Sequence, residues 1–538
     1  MTKIFRAFKS FSSIKYLSLL AVGIFLLVVR NADPILNPII YTEDGLWSGM
    51  AMTHGWLHTF FYAKEGYLVW GNLIALWISN IFSFVLCGDR LICLPQGIAY
   101  TSYIYFSSIA VLSFFATKSY LRTEIRILLF MLFIFLPLGD SSNEIFGRLS
   151  NIGYYLVFVS LILILIREDQ VTFTSKSLID AALIVCMATN PVCILLVFFH
   201  LLMTSIFKLQ HTHVLRLVRE NLFLVIGFLI ISIIVAVKKA TAQGSAITGE
   251  FNVENIIEVV FARSILYPFI FPFYTSLNNL ICIAIFLMWS LLIGFGFYLS
   301  AKKARIIMLL STLSMLVYLA FTIYMRQSLT EQLGNYSVTF PDRYFMGINI
   351  MVVFITLMSL NAMINSRYKS FSYLVIIFVG GEYIYNLNFI VEYKSPRFPI
   401  AMHERLDDQI CLNSGANWLD QPANLIMPTP NGWGMEIPPE YVRRSVLKLD
   451  CKRIFSGFYI TDINWNFGVS KNSPTFFVLS STLTRSIFST GKQVKLANGE
   501  VRKILSISQA GRYLNIYLDG GLLNIGIHGL PHSYVIYK

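Results

Sequence analysis

Apolar runs recur through the first 390 residues of this chain, separated by short polar segments, and little other than a helical membrane bundle can absorb them. They lie near 16–29, 96–117, 127–138, 151–166, 178–190, 191–207, 221–237, 279–299, 304–324, 344–362 and 371–387, eleven in all. Several are shorter than the ~20 residues of a perpendicular span, so broken helices are expected among them. Of 538 residues only 13% are charged, roughly half the share in soluble domains. The formal net charge of +13 would suit nucleic acid as a partner, but its distribution does not. Lysines and arginines cluster between the apolar runs, the pattern that orients a membrane protein, so no nucleic acid is expected.

The N-terminus couples a basic start (Lys3, Arg6, Lys9, Lys15) to the stretch Tyr16 to Val29. It resembles a signal peptide, but Arg30 and Asn31 follow where small cleavage-site residues would stand, so a retained first span is expected. With the N-terminus cytoplasmic and 68–86 not crossing, the clusters at 118–126, 208–219, 302–305 and 367–369 all fall inside. If 68–86 crossed, the Lys118, Arg122 and Arg126 cluster would fall outside. Residues 46–88 therefore read as interfacial helices carrying Trp47, Trp56, Trp70 and Trp77, within a first outer loop over 31–95.

The expected fold is thus a polytopic α-helical membrane protein of about eleven spans over 1–388, with the remainder, 389–538, outside. That tail carries Asn431-Gly432, Asn498-Gly499 and Gly520-Gly521 between short alternating stretches, which predicts a small, mainly β extracytoplasmic domain. Five of the seven cysteines lie in or beside apolar runs and read as small lipid-tolerant residues. Cys411 and Cys451 fall in the tail, where a pairing cannot be deduced from spacing.

Three polar stretches face the outer side: "YTEDG" with Glu43 and Asp44, "GDSSNEIFGR" with Asp140 and Glu144, and "PDRYF" with Asp342 and Arg343. A partly desolvated carboxylate is a better base toward a hydroxyl, and a guanidinium can hold a phosphate through two hydrogen bonds. The same residues also suit solvated loop acids and an interfacial ion pair. Arg263 in "FARSILYP" and Lys64 in "FYAKEG" read first as orientation anchors and second as phosphate contacts. His54 and His58 stand four apart with no third ligand evident, so no metal site is read from them. No P-loop, HExxH or GxSxG pattern occurs, against ATP hydrolysis, zincin chemistry and a nucleophile-elbow hydrolase.

The order of these features resembles the GT-C superfamily of membrane glycosyltransferases. Within it, "EDG", "NEIFGRLSN", "PDRYF" and the tail's "IMPTPNGWGMEIP" are similar to bacterial O-antigen glucosyltransferases, including phage-encoded serotype-converting ones. The resemblance implies an enzyme of the bacterial inner membrane. Its donor would be a polyprenyl-phosphate-linked sugar, probed from the periplasmic side, and its acceptor O-antigen, lipopolysaccharide or a related lipid-linked or surface glycan. A companion flippase and a donor-synthesising glycosyltransferase are implied as partners. The resemblance makes Asp44 or Glu43 the base, Asp140 and Glu144 second-loop acids, and Arg343 the donor-phosphate contact, with Arg263 and Lys64 behind it. The first loop has Glu-Asp where some relatives have Asp-Asp or Asp-Glu, so either acid can be the base. No cofactor is implied with certainty, and a divalent metal stays open. An O-antigen polymerase and a flippase or transporter of polyprenyl-linked glycan remain the alternatives.

Overall fold

A computed structural model describes residues 13–138, 142–170, 172–209, 214–241, 251–334, 336, 342–392, 406, 410, 425–429, 433–449, 458–460, 475–479, 488–496, 501–510, 513–520 and 535–537. The helices used below are α1 (Ser13–Arg30), α2 (Thr42–His54), α3 (Trp56–Tyr62), α4 (Trp70–Cys87), α5 (Leu94–Ala116), α6 (Thr123–Ile134), α7 (Leu156–Glu168), α8 (Phe173–Met187), α9 (Pro191–Leu209), α10 (Val214–Thr241), α11 (Asn279–Leu299), α12 (Lys302–Met325), α13 (Met346–Ile364), α14 (Lys369–Tyr385) and α15 (Pro439–Val446). Among the described residues seven helices are long and apolar enough to cross a membrane, and the chain is a largely helical, multi-pass membrane protein.

The chain forms two compact units: Met1–Pro34, Phe60–Ala75 and Tyr100–Ser395 in the first, Ile35–Thr59, Leu76–Ala99 and Pro396–Lys538 in the second. The division differs from a single boundary near 389, because parts of the first loop group with the tail.

In the first unit α13 is the central helix, nearly all of it buried, packed against α6, α7, α11, α12 and α14. Small residues let its neighbours approach. A Cβ on Gly296 of α11 would lie 2.4 Å from Ser359 Cβ, and one on Gly347 would lie 2.2 Å from the Tyr154 carbonyl. By contrast α11 buries only Cys282 and Gly296, and its exposed Leu280, Leu287, Met288 and Leu291 suit contact with lipid. Between α10 and α11 the chain takes a π-helical turn, Glu258–Leu266, which disturbs the backbone ladder. Asn349 of α13 donates its amide to the carbonyls of Arg263 (3.2 Å) and Ser264 (2.6 Å) there.

Helix α6 has 12 residues and rises only about 18 Å at 1.5 Å per residue, short of a ~30 Å hydrocarbon core. Residues 135–138 follow it in non-helical form. The apolar run 127–138 is therefore part helix and part non-helical chain.

In the second unit the tail's described residues form eight strands. Strands β1 (Leu425–Thr429) and β2 (Trp433–Ile437) pair as an antiparallel hairpin with Thr429 opposite Trp433, while Asn431-Gly432 between them lies outside the described residues. A six-stranded sheet runs β3 (Phe458–Ile460), β8 (Val535–Tyr537), β5 (Gln493–Leu496), β6 (Val501–Ala510), β7 (Tyr513–Leu518), β4 (Thr475–Leu479), all antiparallel. Along β7, buried Leu514, Ile516 and Leu518 set one face, while Tyr517 between them is exposed. Gly521 of the Gly520-Gly521 signal lies outside the described residues.

The hairpin lies on α2 at backbone distance. A Cβ on Gly49 would sit 2.7 Å from the Glu436 carbonyl oxygen, and one on Gly45 would sit 2.8 Å from Thr429 Cγ2. The tail also holds the turn after α4. Ser445 of α15 donates to the Asp89 carboxylate (3.0 Å), and Lys448 donates to the Gly88 carbonyl. Cys87 and Cys93 close this turn as a disulfide, which corrects their reading as isolated small residues. Cys411 and Cys451 lie outside the described residues.

Helix α4, expected to lie at the interface, is long and apolar enough to cross a membrane.

On the topology read from the basic clusters, cysteines placed at exposed Glu65 and exposed Val501 should react with an impermeant maleimide from one side of the membrane, and a cysteine at Lys118 only from the other. Labelling of all three from a single side would overturn this arrangement.

Candidate functional site

In the first unit the described residues between α6 and α7 are mostly buried and largely outside α-helix, so their carbonyls need side-chain donors. Arg30, at the end of α1, donates to the carbonyls of Ile134 and Leu136 (2.6 Å to the latter) and lies over the Phe146 ring. Asn72 donates to Leu149 (2.6 Å) and Ser150 (2.9 Å), Asn151 to the Glu144 carbonyl (2.6 Å), and Asn190 to Gly153 (2.8 Å). The Tyr318 hydroxyl takes the Tyr154 carbonyl at 2.9 Å. Gly147 permits the tightest bend: its φ is +71°, and a Cβ there would lie 2.3 Å from Pro34 Cβ.

This frame presents Glu144, in the short helix Ser142–Ile145, to Arg343, 199 residues away in sequence. The Arg343 guanidinium donates to the Glu144 carboxylate at 2.6 Å and to the Tyr344 hydroxyl at 3.0 Å. The Glu144 side chain is only 6% exposed and that of Arg343 22%, so the pair is mostly desolvated. Burial pulls the arginine toward deprotonation, but Tyr344 and Glu144 more than offset it and hold the group charged. Two residues proposed from separate motifs thus meet. Asp140 lies outside the described residues, as does the side chain of Asp342, so Glu144 is the carboxylate seen on Arg343.

A second arginine was missed. Arg326, just past the end of α12, places its guanidinium 5.1 Å from the centre of the Tyr344 ring, on which Arg343 lies at 5.0 Å. It makes no ion pair among the described residues. Its place one residue beyond an apolar helix is the signal that could have found it.

Arg263 has different surroundings. It is fully buried in the π-helical turn, its guanidinium 4.0 Å from the Tyr267 ring and 4.8 Å from that of Tyr274. Nearby, the Glu258 carboxylate accepts from the Tyr274 hydroxyl (2.7 Å) and the Tyr336 amide (3.1 Å). Such packing suits a structural cation better than a phosphate contact. Lys64 is half-buried in the link between α3 and α4.

In the second unit the acidic pair opens α2. Thr42 has φ +23°, a strained entry for a β-branched residue. Its hydroxyl donates to the Glu43 carboxylate at 2.7 Å, and Glu43 stays half-exposed. Asp44 is fully buried, one helical step before Gly45 and its contact with the hairpin. The two acids are therefore not equivalent: one is tied to its neighbour at the surface, the other is enclosed. The His54 and His58 rings meet at a tilt of 49°, with centroids 5.0 Å apart.

Compared with known families and characterised proteins, the chain matches no family model and no curated protein.

Breaking the Glu144–Arg343 pair on one side should cost more than removing both charges, because it strands a desolvated carboxylate. Arg343→Ala should lower stability by about 2–3 kcal/mol, and adding Glu144→Gln should recover part of that loss, as read by thermal unfolding in detergent. Equal destabilisation by the single and double variants would show that the pair is not coupled.

Proposed function

We propose that this chain is a membrane glycosyltransferase of the GT-C type, working on the periplasmic face of a bacterial inner membrane. It transfers a sugar, glucosyl by resemblance, from polyprenyl phosphate to a hydroxyl of O-antigen, lipopolysaccharide or a related surface glycan. The observation that carries this reading is the Glu144–Arg343 pair, which joins the second-loop acid to the candidate phosphate-binding arginine. The Cys87–Cys93 disulfide supports the periplasmic side, since such bonds persist in oxidising compartments.

The chemistry is a displacement. Asp44 takes the proton of the acceptor hydroxyl, whose oxygen bonds to the anomeric carbon as the bond from that carbon to the phosphate oxygen breaks. Polyprenyl phosphate leaves with the electron pair, its charge balanced by Arg343. Glu144 keeps the arginine oriented. No nucleotide is consumed, which fits a compartment where nucleotide sugars are scarce. A flippase and a donor-synthesising transferase would supply the lipid-linked sugar.

A second reading, a transporter of polyprenyl-linked glycan, draws on the π-helical turn at Glu258–Leu266 and the break between α8 and α9 at Asn190. It forms no new bond.

With purified protein, polyprenyl-phosphate glucose and host lipopolysaccharide, Asp44→Asn should slow transfer by about 10²–10⁴-fold, and Glu43→Gln far less. The reverse ranking would move the base to Glu43. Wild-type rates in both variants would remove the acidic pair from the mechanism.

A further inference from the structure

The tail motif "IMPTPNGWGMEIP" takes no part in the displacement, yet its hairpin covers the helix that carries the base. On α2, Asp44 and Ser48 are four residues apart and share one face, with Gly45 and Gly49 beside them. Thr429, the last residue of β1, lies against Gly45. Asp44, Ser48 and Thr429 are enclosed, with exposures of 0%, 1% and 2%. The hydroxyls of Ser48 and Thr429 have no hydrogen-bond partner among the described residues. Buried hydroxyls are nearly always bonded, so two orphans, one on the helix that carries Asp44 and one packed against that helix, point to a ligand that supplies the missing partners. Neither α2 nor the two hairpin strands contains a lysine or arginine, so the ligand suited to this place is neutral and rich in hydroxyls.

We propose that Ser48 and Thr429 form, with Asp44, the subsite for the acceptor sugar, and that the β1–β2 hairpin is its outer wall. The proposal rests on Asp44 being the base. Asp44 receives the proton of the reacting hydroxyl, while Ser48 and Thr429 hydrogen-bond neighbouring hydroxyls of the same ring. Because all three are covered, the hairpin moves aside for the sugar to enter. The glycine face of α2 offers no interlocking side chains to resist that movement.

The test uses the full chain in nanodiscs, with polyprenyl-phosphate glucose as donor and host lipopolysaccharide as acceptor. Thr429→Val and Ser48→Ala should each raise the acceptor KM about tenfold and leave the donor KM unchanged. Thr429→Ser, which keeps the hydroxyl, should restore most of the loss. An unchanged acceptor KM in Thr429→Val, an equal rise for both substrates, or a Thr429→Ser variant as poor as Thr429→Val would overturn the subsite. If the wild-type chain transfers no sugar, the reading of Asp44 as base fails on its own. Calorimetric titration with delipidated host O-antigen polysaccharide then decides the subsite. Binding weakened about tenfold by Thr429→Val upholds it, while binding unaffected by that change, or no binding to the wild type, overturns it.

Discussion

Buried backbone that is not helical must find donors for its carbonyls, and the described residues between Ile134 and Tyr154 are where this protein meets that constraint. Asn151 supplies a donor from within the segment, and Arg30, Asn72, Asn190 and Tyr318 supply donors from four other parts of the chain. Helix α1, the start of α4, the link between α8 and α9, and α12 are thereby tied to one segment. The carboxylate on that segment, Glu144, inherits the rigidity and meets Arg343 in a fixed geometry. An ion pair of this kind adds little net stability, because desolvation offsets much of the attraction. Its value is positional: it aims a guanidinium that stays charged.

The second unit solves a different problem with glycine. Gly45 and Gly49, four apart on α2, let a β-hairpin lie against the helix at backbone distance, where larger residues would hold it off. The consequence is that the two acids of one dipeptide live in different environments. Glu43 stays near the surface in the grip of Thr42, while Asp44 is enclosed.

Much of this was legible in the sequence, for identifiable reasons. Apolar runs report helices directly, and the central run at 344–362 is matched by α13 within two residues. Asn431-Gly432 announced the β1–β2 pairing, because that dipeptide is a strong short-range signal for a hairpin. Basic clusters argued that 68–86 stays at the interface, whereas the helix formed there is long and apolar enough to cross. What stayed hidden was long-range or aperiodic. Residues 135–138 are apolar, so periodicity hid the end of α6, and Pro137 was its one signal. The Cys87–Cys93 bond lay beneath the more obvious pair at 411 and 451. Ser48 and Thr429 looked like ordinary polar residues until the fold enclosed them, one on α2 and one against it.

The central claim is that this chain adds a sugar to a surface glycan at the outer face of the membrane. Structural analysis of the surface polysaccharide from otherwise identical host cells, with and without the chain, tests it most directly. The account predicts one additional sugar on each modified repeat unit, present only when the chain is made. Polysaccharides identical in sugar composition and linkage in the two strains would contradict it.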